Sequence, residues 1–502
     1  MRAFLVALVL ASVFASGIRW GTFVAGGSDS YCYVHQAQRW ASGRLQVPEP
    51  LALEAPWPNA PLTFAPAGHL PWATVPGAIV PICAAGLSIA MAPLVAIAGV
   101  GAAFVVVPLF GALLVAATFV IASRVSPRVG LASALVTACS PIFLYQLVQP
   151  MSDVPAAALW TLAVAFVTGT RVRDPALAGI AVAAAVVVRP NLVPLAVPIG
   201  LFLLVRPERT WGERVRAAAT FAACASPGPA AVAAIQNMFY GSVLSSGYGT
   251  LGTIFSLDRV AANATRYVSW LTETQTAIWM LALAAPFLLP GAVIALLVGM
   301  FLVNIACYLP YVVFDDWSFL RFLLPALPFV MILVMASIDS IARRIMPWIA
   351  RPVVAALAIV LAVTYVGRAE IRNVFRLHQL EARYERAGDF VARRLPPNAI
   401  VITSSESGSV RLYSGRRTLV WDTLDPSWLD SSIAYLRTRG PDPFLLLETG
   451  EDPSFRRRFA SSPLGALDWP PAAEVASRVR IYRPDDREKY FKGVHAPTEY
   501  AQ

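Results

Sequence analysis

Charge is what this sequence has least of. Of its 502 residues only 14% are Asp, Glu, Lys or Arg, while 57% are hydrophobic. Soluble globular chains carry about 25% charge, so one soluble domain is excluded and a polytopic membrane protein is indicated. Lysine is nearly missing, standing only at 489 and 492, and arginines dominate a net charge of +10. In a membrane chain such an excess reads first as topology and as contact with anionic lipid headgroups. No basic patch interleaved with aromatics stands out, which sets nucleic acid aside. Cysteine occurs only at 32, 83, 139, 224 and 307, without CxxC or Cys/His metal spacing. These read as small packing residues, and a Cys32–Cys83 disulfide stays open. No Gly-x-Ser-x-Gly, HExxH or kinase-like set is present, so a serine hydrolase or zinc protease has no support, and no Gly-rich phosphate loop, GxGxxG or P-loop precedes a helix of the C-terminal part. There is no internal repeat.

What is there is a series of apolar runs punctuated by short arginine-bearing connections. The first run, 3–25, exceeds the roughly 20 residues a spanning helix needs. It lacks an A-x-A cleavage site and is expected to stay as an anchor. The arginine groups are Arg124 and Arg128, then Arg171 and Arg173, then Arg206, Arg209, Arg214 and Arg216, then Arg343, Arg344 and Arg351. Placing all four in the cytoplasm, with the N-terminus, gives a consistent path of about eleven spans. They are 3–25, 94–123, 129–147, 154–170, 176–189, 191–205, 215–236, 274–289, 291–312, 319–342 and 351–367. The first outer loop covers about 26–92, and its apolar part, 71–92, is expected to lie on or dip into the membrane because Pro71, Pro76 and Pro81 oppose a regular helix. A polar outer loop is expected at 237–270.

From Arg368 onward the composition is that of a soluble unit. Helices are expected at 369–395, 408–413, 427–439 and 453–461, and strands at 399–403, 418–421, 444–448 and 478–482, with the last 15 residues loose. This alternation predicts a small, partly parallel α/β domain over 369–502, behind a membrane domain over 1–368.

That path brings Asp29, Asp153, Arg189, Asp315, Asp316 and Arg321 to one membrane face. Ionisable residues near membrane depth are costly and are functional candidates. Asp29, in Gly-Gly-Ser-Asp-Ser, can act as general base or hold a cation, or it can be a helix N-cap. Asp153 has the same alternatives, with Pro155 in the first turn strengthening the cap reading. Arg189 and Arg321 suit phosphate oxygens, against interfacial snorkelling. His35 and His69 are candidates for catalysis or cation binding, against surface hydrogen bonding. Asp315 and Asp316 read best as a solvated loop. Asn263-Ala264-Thr265 matches a glycan sequon, a weak signal.

Together these features resemble the GT-C superfamily of integral-membrane glycosyltransferases. They are the outer acid after helix one, His69-Leu70-Pro71 in the first loop, Ser152-Asp153-Val154-Pro155, Arg189-Pro190, and Trp317 followed by Arg321-Phe322-Leu323-Leu324-Pro325-Ala326-Leu327-Pro328. The similarity is to the bacterial branch related to protein mannosyltransferases and aminoarabinose transferases, over roughly residues 1–368. It implies a GT-C-like membrane domain in the cytoplasmic (inner) membrane, with an extracytoplasmic C-terminal α/β domain. It also implies an inverting transferase that moves a sugar from a polyprenyl-phosphate donor to a hydroxyl of a glycan, lipid or protein acceptor of the cell envelope. Asp29 and Asp153 then match the catalytic acidic positions. Arg189 and Arg321 match basic positions near the lipid phosphate, and His35 and His69 join the substrate-binding set. No organic cofactor is implied, and a divalent cation stays open. Two departures from the family stand out: His-Leu-Pro where His-Pro-Pro is usual, and a single first acid rather than a pair. The competing readings are a transporter or flippase, and a polymerase or ligase, of lipid-linked glycans. The first would more often show inverted repeats and mid-membrane polar residues.

Overall fold

In the computed structural model, which describes residues 2–501, five helices are long and apolar enough to cross a bilayer. They are Arg2–Arg19, Val100–Val125, Trp211–Tyr240, Trp317–Ile345 and Ala350–Ile371. A sixth is the pair Val129–Ala138 and Pro141–Leu147, bent by 60° at Ser140-Pro141, where proline removes a helical donor. Six apolar helices of 10–17 residues complete the bundle. Trp317–Ile345 runs through its centre, with every residue from Leu327 to Ser340 buried. A helix apolar all round belongs in such a position.

Several expected boundaries move, each for a local reason. The first helix ends at Arg19 rather than at 25. Glycines follow it, and the chain continues extended, with the Thr22 amide donating to Val148 O at 2.8 Å. The stretch 71–92 is not one apolar piece. Val47–Pro48, His69–Pro71 and Ala78–Pro81 form a small antiparallel sheet, and the helix Ala85–Ala98 follows. The segment expected at 274–289 is interrupted at Thr276, whose φ of +60° stops the helix Val260–Gln275. That helix begins inside the expected polar loop and takes up its last part.

The C-terminal part holds a six-stranded sheet. Its order is Arg417–Val420, Ala399–Thr403, Asp442–Glu448, Val479–Tyr482, Ala473–Val475 and Glu499–Ala501. The first three strands are parallel, and Val479–Tyr482 runs against Asp442–Glu448. Two strands, 473–475 and 499–501, were not expected, and the end expected to be loose contains one of them together with the last turn of the helix Pro484–Phe491. Side-chain alternation splits the sheet's faces. Ala399 and Val401 pack with Ala387, Phe390 and Val391 of the helix Leu377–Arg394, which joins the sheet to the bundle. Ile400 and Ile402 pack on the opposite face in a core that includes Leu51, Ala52, Trp57 and Phe64 of the first outer loop. The division near residue 368 is therefore one of chain order, not of packing.

The candidate active site

Asp29 opens the helix Asp29–Ser42, directly after the extended segment that ends the first span. Arg321 lies on a 3₁₀ stretch, Trp317–Ala326, that leads into the central helix. Its threefold repeat sets Phe319 and Phe322 on one side. The two segments meet with Arg321 Nη2 donating to Asp29 Oδ2 at 3.0 Å. Arg321 stands over the rings of Phe319 and Phe322, at 5.1 and 5.4 Å from their centroids. Its Nε is buried without a partner among the described residues. Asp29 takes the only hydrogen bond from this guanidinium among the described residues, which leaves N–H groups of Arg321 for an anion.

Arg189 ends the helix Asp174–Val188, just before Pro190. It donates to Asp153 Oδ1 at 2.6 Å, to the Tyr308 hydroxyl at 3.0 Å and to Ser152 Oγ at 3.2 Å. Its guanidinium also faces the Phe322 ring, at 5.7 Å, so both arginines approach the same aromatic ring. Tyr33 donates to Ser152 Oγ at 2.8 Å. Burial pushes the Tyr33 hydroxyl's pKa up, which keeps it a donor.

Asp29, Arg189 and Arg321 line one cavity of about 690 Å³. Much of its remaining wall is apolar, supplied by Val188, Val232, Ile235, Leu244, Ile254 and Phe255. Tyr33, Ser152, Tyr308, Tyr248 and Glu381 also line it. Among these a motif reached only Ser152, which stands in the Ser152-Asp153-Val154-Pro155 stretch. Hydroxyl and aromatic residues are common beside membrane helices, and Glu381 lies in a charge-rich helix that resembles any solvated one.

Three candidates are placed differently from expectation. Asp153 is fully buried behind Arg189 and is not part of the cavity wall. Starting its helix Asp153–Val167 and paired at 2.6 Å, it positions that guanidinium. His35 and His69 do not reach the cavity. They face each other, Nδ1 to Nε2 at 2.9 Å, beside Tyr31 and Arg39. Burial pushes both imidazoles down, His69 to about 3, so both are neutral and one ring donates to the other. Asp315 pairs with Arg266, and Asp316 accepts from the Ser318 amide at 2.8 Å. Cys32 and Cys83 form a disulfide next to the site. As for a divalent cation, the donor set does not fit one. Asp29 and Asp153 each face a guanidinium, and no three His, Cys, Asp or Glu side chains converge among the described residues.

The family described as dolichyl-phosphate-mannose-protein mannosyltransferase matches residues 86–227. A comparison with curated protein sequences finds no match. Among solved structures, ArnT from Cupriavidus metallidurans bound to undecaprenyl phosphate superimposes with a TM-score of 0.58 at 11% identity, covering 95% of this chain and 97% of that one. The archaeal oligosaccharyltransferase AglB from Archaeoglobus fulgidus, in complex with an inhibitory peptide and a dolichol-phosphate, gives 0.51 at 10% identity, covering 92% and 72%. The arabinofuranosyltransferase AftD from Mycobacteria gives 0.53 at 17% identity, covering 89% of this chain and 35% of that one. In the family match and in the fold, this multi-pass membrane chain resembles the GT-C superfamily of glycosyltransferases.

Proposed function

We propose that this chain transfers a sugar from a polyprenyl-phosphate donor to a hydroxyl acceptor at the outer face of the cytoplasmic membrane, with inversion. One observation carries the reading. An acid and two arginines from distant parts of the chain meet on the wall of a cavity that is otherwise largely apolar. Apolar lining suits a polyprenyl tail, since buried apolar area contributes about 25 cal/mol per Å². Guanidinium groups suit its phosphate. ArnT bound to undecaprenyl phosphate has the same fold, which supports that donor class.

The two ion pairs differ in how easily they open. Arg189–Asp153 is closed off, its acid side chain 0% exposed, whereas Asp29 in the Arg321 pair is 28% exposed. A donor phosphate therefore takes over Arg321, and Asp29 is released. In the transfer, the bond from the anomeric carbon to the phosphate oxygen breaks, and a bond from the acceptor oxygen to the same carbon forms on the opposite face. The acceptor proton goes to Asp29. The electron pair stays on the polyprenyl phosphate, whose charge Arg189 and Arg321 stabilise. A single displacement of this kind inverts the carbon. In this reading the bundle makes about eleven crossings, the arginine-bearing turns lie in the cytoplasm, and residues 369–502 lie outside.

Binding of undecaprenyl phosphate to the purified protein tests the site. Arg321→Ala is expected to weaken binding about tenfold or more, the worth of a charged hydrogen bond of about 1.5–3 kcal/mol. Absence of binding by the native chain would contradict the donor assignment.

A further inference from the structure

Glu381 is the acid of the cavity that the proposed chemistry leaves without a task. It shares the wall with Asp29 and Arg321 but comes from the helix Leu377–Arg394, outside the apolar spans. Its Oε1 accepts from Arg383 Nη1 at 3.3 Å. Arg383 is itself held in place. It donates to Leu380 O at 2.6 Å, to the Tyr384 hydroxyl at 2.9 Å and to Glu448 Oε1 at 3.2 Å. Glu381 Oε2 accepts no hydrogen bond among the described residues. Burial pushes the carboxyl's pKa up, and Arg383 only partly offsets this.

The helix that carries Glu381 is locked to the Asp29 loop. A Cβ on Gly26 would stand 2.2 Å from the Tyr384 ring, so that ring lies against bare backbone three residues before Asp29. On the other side, the Ala25 amide donates to the Tyr413 hydroxyl at 2.9 Å. Glu381 is thus fixed relative to Asp29 rather than loosely exposed. A fixed carboxylate with a free oxygen repels phosphate, which belongs at the arginines, but it is a strong acceptor for hydroxyl groups.

We propose that Glu381 reads the sugar of the donor: its free oxygen accepts hydrogen bonds from hydroxyls of the sugar that the polyprenyl phosphate carries. This rests on the glycosyltransferase reading above. It makes the helix after the last span part of the donor subsite, and it makes Glu381 a specificity residue rather than a second base.

Binding of the full-length protein to bare undecaprenyl phosphate, and to the same lipid bearing mannose or arabinofuranose, tests this directly. The native chain is expected to bind at least one sugar-bearing lipid tighter than the bare one. Glu381→Gln should keep its affinity for the bare lipid within about twofold and lose roughly tenfold of the sugar's contribution, the worth of a charged hydrogen bond. An unchanged preference in Glu381→Gln would overturn the proposal, as would a native chain that binds bare lipid but favours neither sugar. Equal loss for bare and sugar-bearing lipid would also overturn it, by showing a structural role. No binding of bare lipid by the native chain is a different result, because it contradicts the donor reading itself and the proposal with it.

Discussion

Asp29 and Asp153 are the same residue type, each facing one arginine, yet burial separates their tasks. Removing charge from a buried pair strands the partner and costs about 3–5 kcal/mol. Asp153→Asn should therefore lower the thermal midpoint in detergent, whereas Asp29→Asn, more exposed, should leave it within a degree or two. Differential scanning fluorimetry distinguishes them, and equal losses would contradict the assignment of roles. Glu406 offers a pH test at this scale. Burial raises its carboxyl to about 8, with one oxygen unpartnered. The folded chain then holds a proton that the unfolded chain releases near pH 4.5. Its contribution is complete below that pH and is lost as pH rises to about 8. The buried histidines act in the opposite sense, losing stability as pH falls through 6.5. The difference between native protein and Glu406→Gln isolates the carboxyl. The variant should melt relatively better at pH 8.5 than at pH 5, and a pH-independent difference would contradict the buried acid. Asp29 stood out in the sequence because an acid beside a span is rare. His35 and His69 stood out equally, but their 34-residue separation hid that they pair with each other.

At the level of elements, Gly26 is where one helix meets another segment's backbone. Gly26→Ala puts a methyl into the Tyr384 ring, and either the ring or the Asp29 loop must shift. Overpacking of this kind costs about 1–3 kcal/mol. The variant should lose both stability and transfer activity, and Gly26→Ala with Tyr384→Ala should recover part of the stability, which a double-mutant cycle measures. Additive losses would show that the contact does not couple the two segments. Apolar composition made most of the helical bundle legible. Breaks set by a single backbone angle, as at Thr276, were not, because composition does not report φ. The three-residue strands 473–475 and 499–501 escaped for another reason: each is too short to show an alternation, and pairing holds them, the first on Val479–Tyr482 and the second on the first.

Across the whole molecule, the first outer loop and the C-terminal sheet share a core. Trp57 is 3% exposed in the cluster with Ile400, Ile402 and Leu445, and Arg411 pairs with Glu49 while donating to Phe64 O at 2.7 Å. Trp57→Ala should cost about 3–5 kcal/mol and broaden or split the melting transition. An unchanged melt would contradict the shared core. This arrangement could not be read from the chain, since Trp57 lies in a proline-rich loop some 340 residues before the strands it covers. It also explains how a helix after the last span can brace the Asp29 loop. The account rests on Asp29 as the base of a transfer reaction, and the most direct measurement is transfer itself. Purified protein is given radiolabelled polyprenyl-phosphate sugars and envelope acceptors, and the native chain is compared with Asp29→Asn. The account predicts product with the native chain and a rate lower by about 10²–10⁴ in the variant, the range for loss of a general base. Undiminished transfer by Asp29→Asn would contradict it.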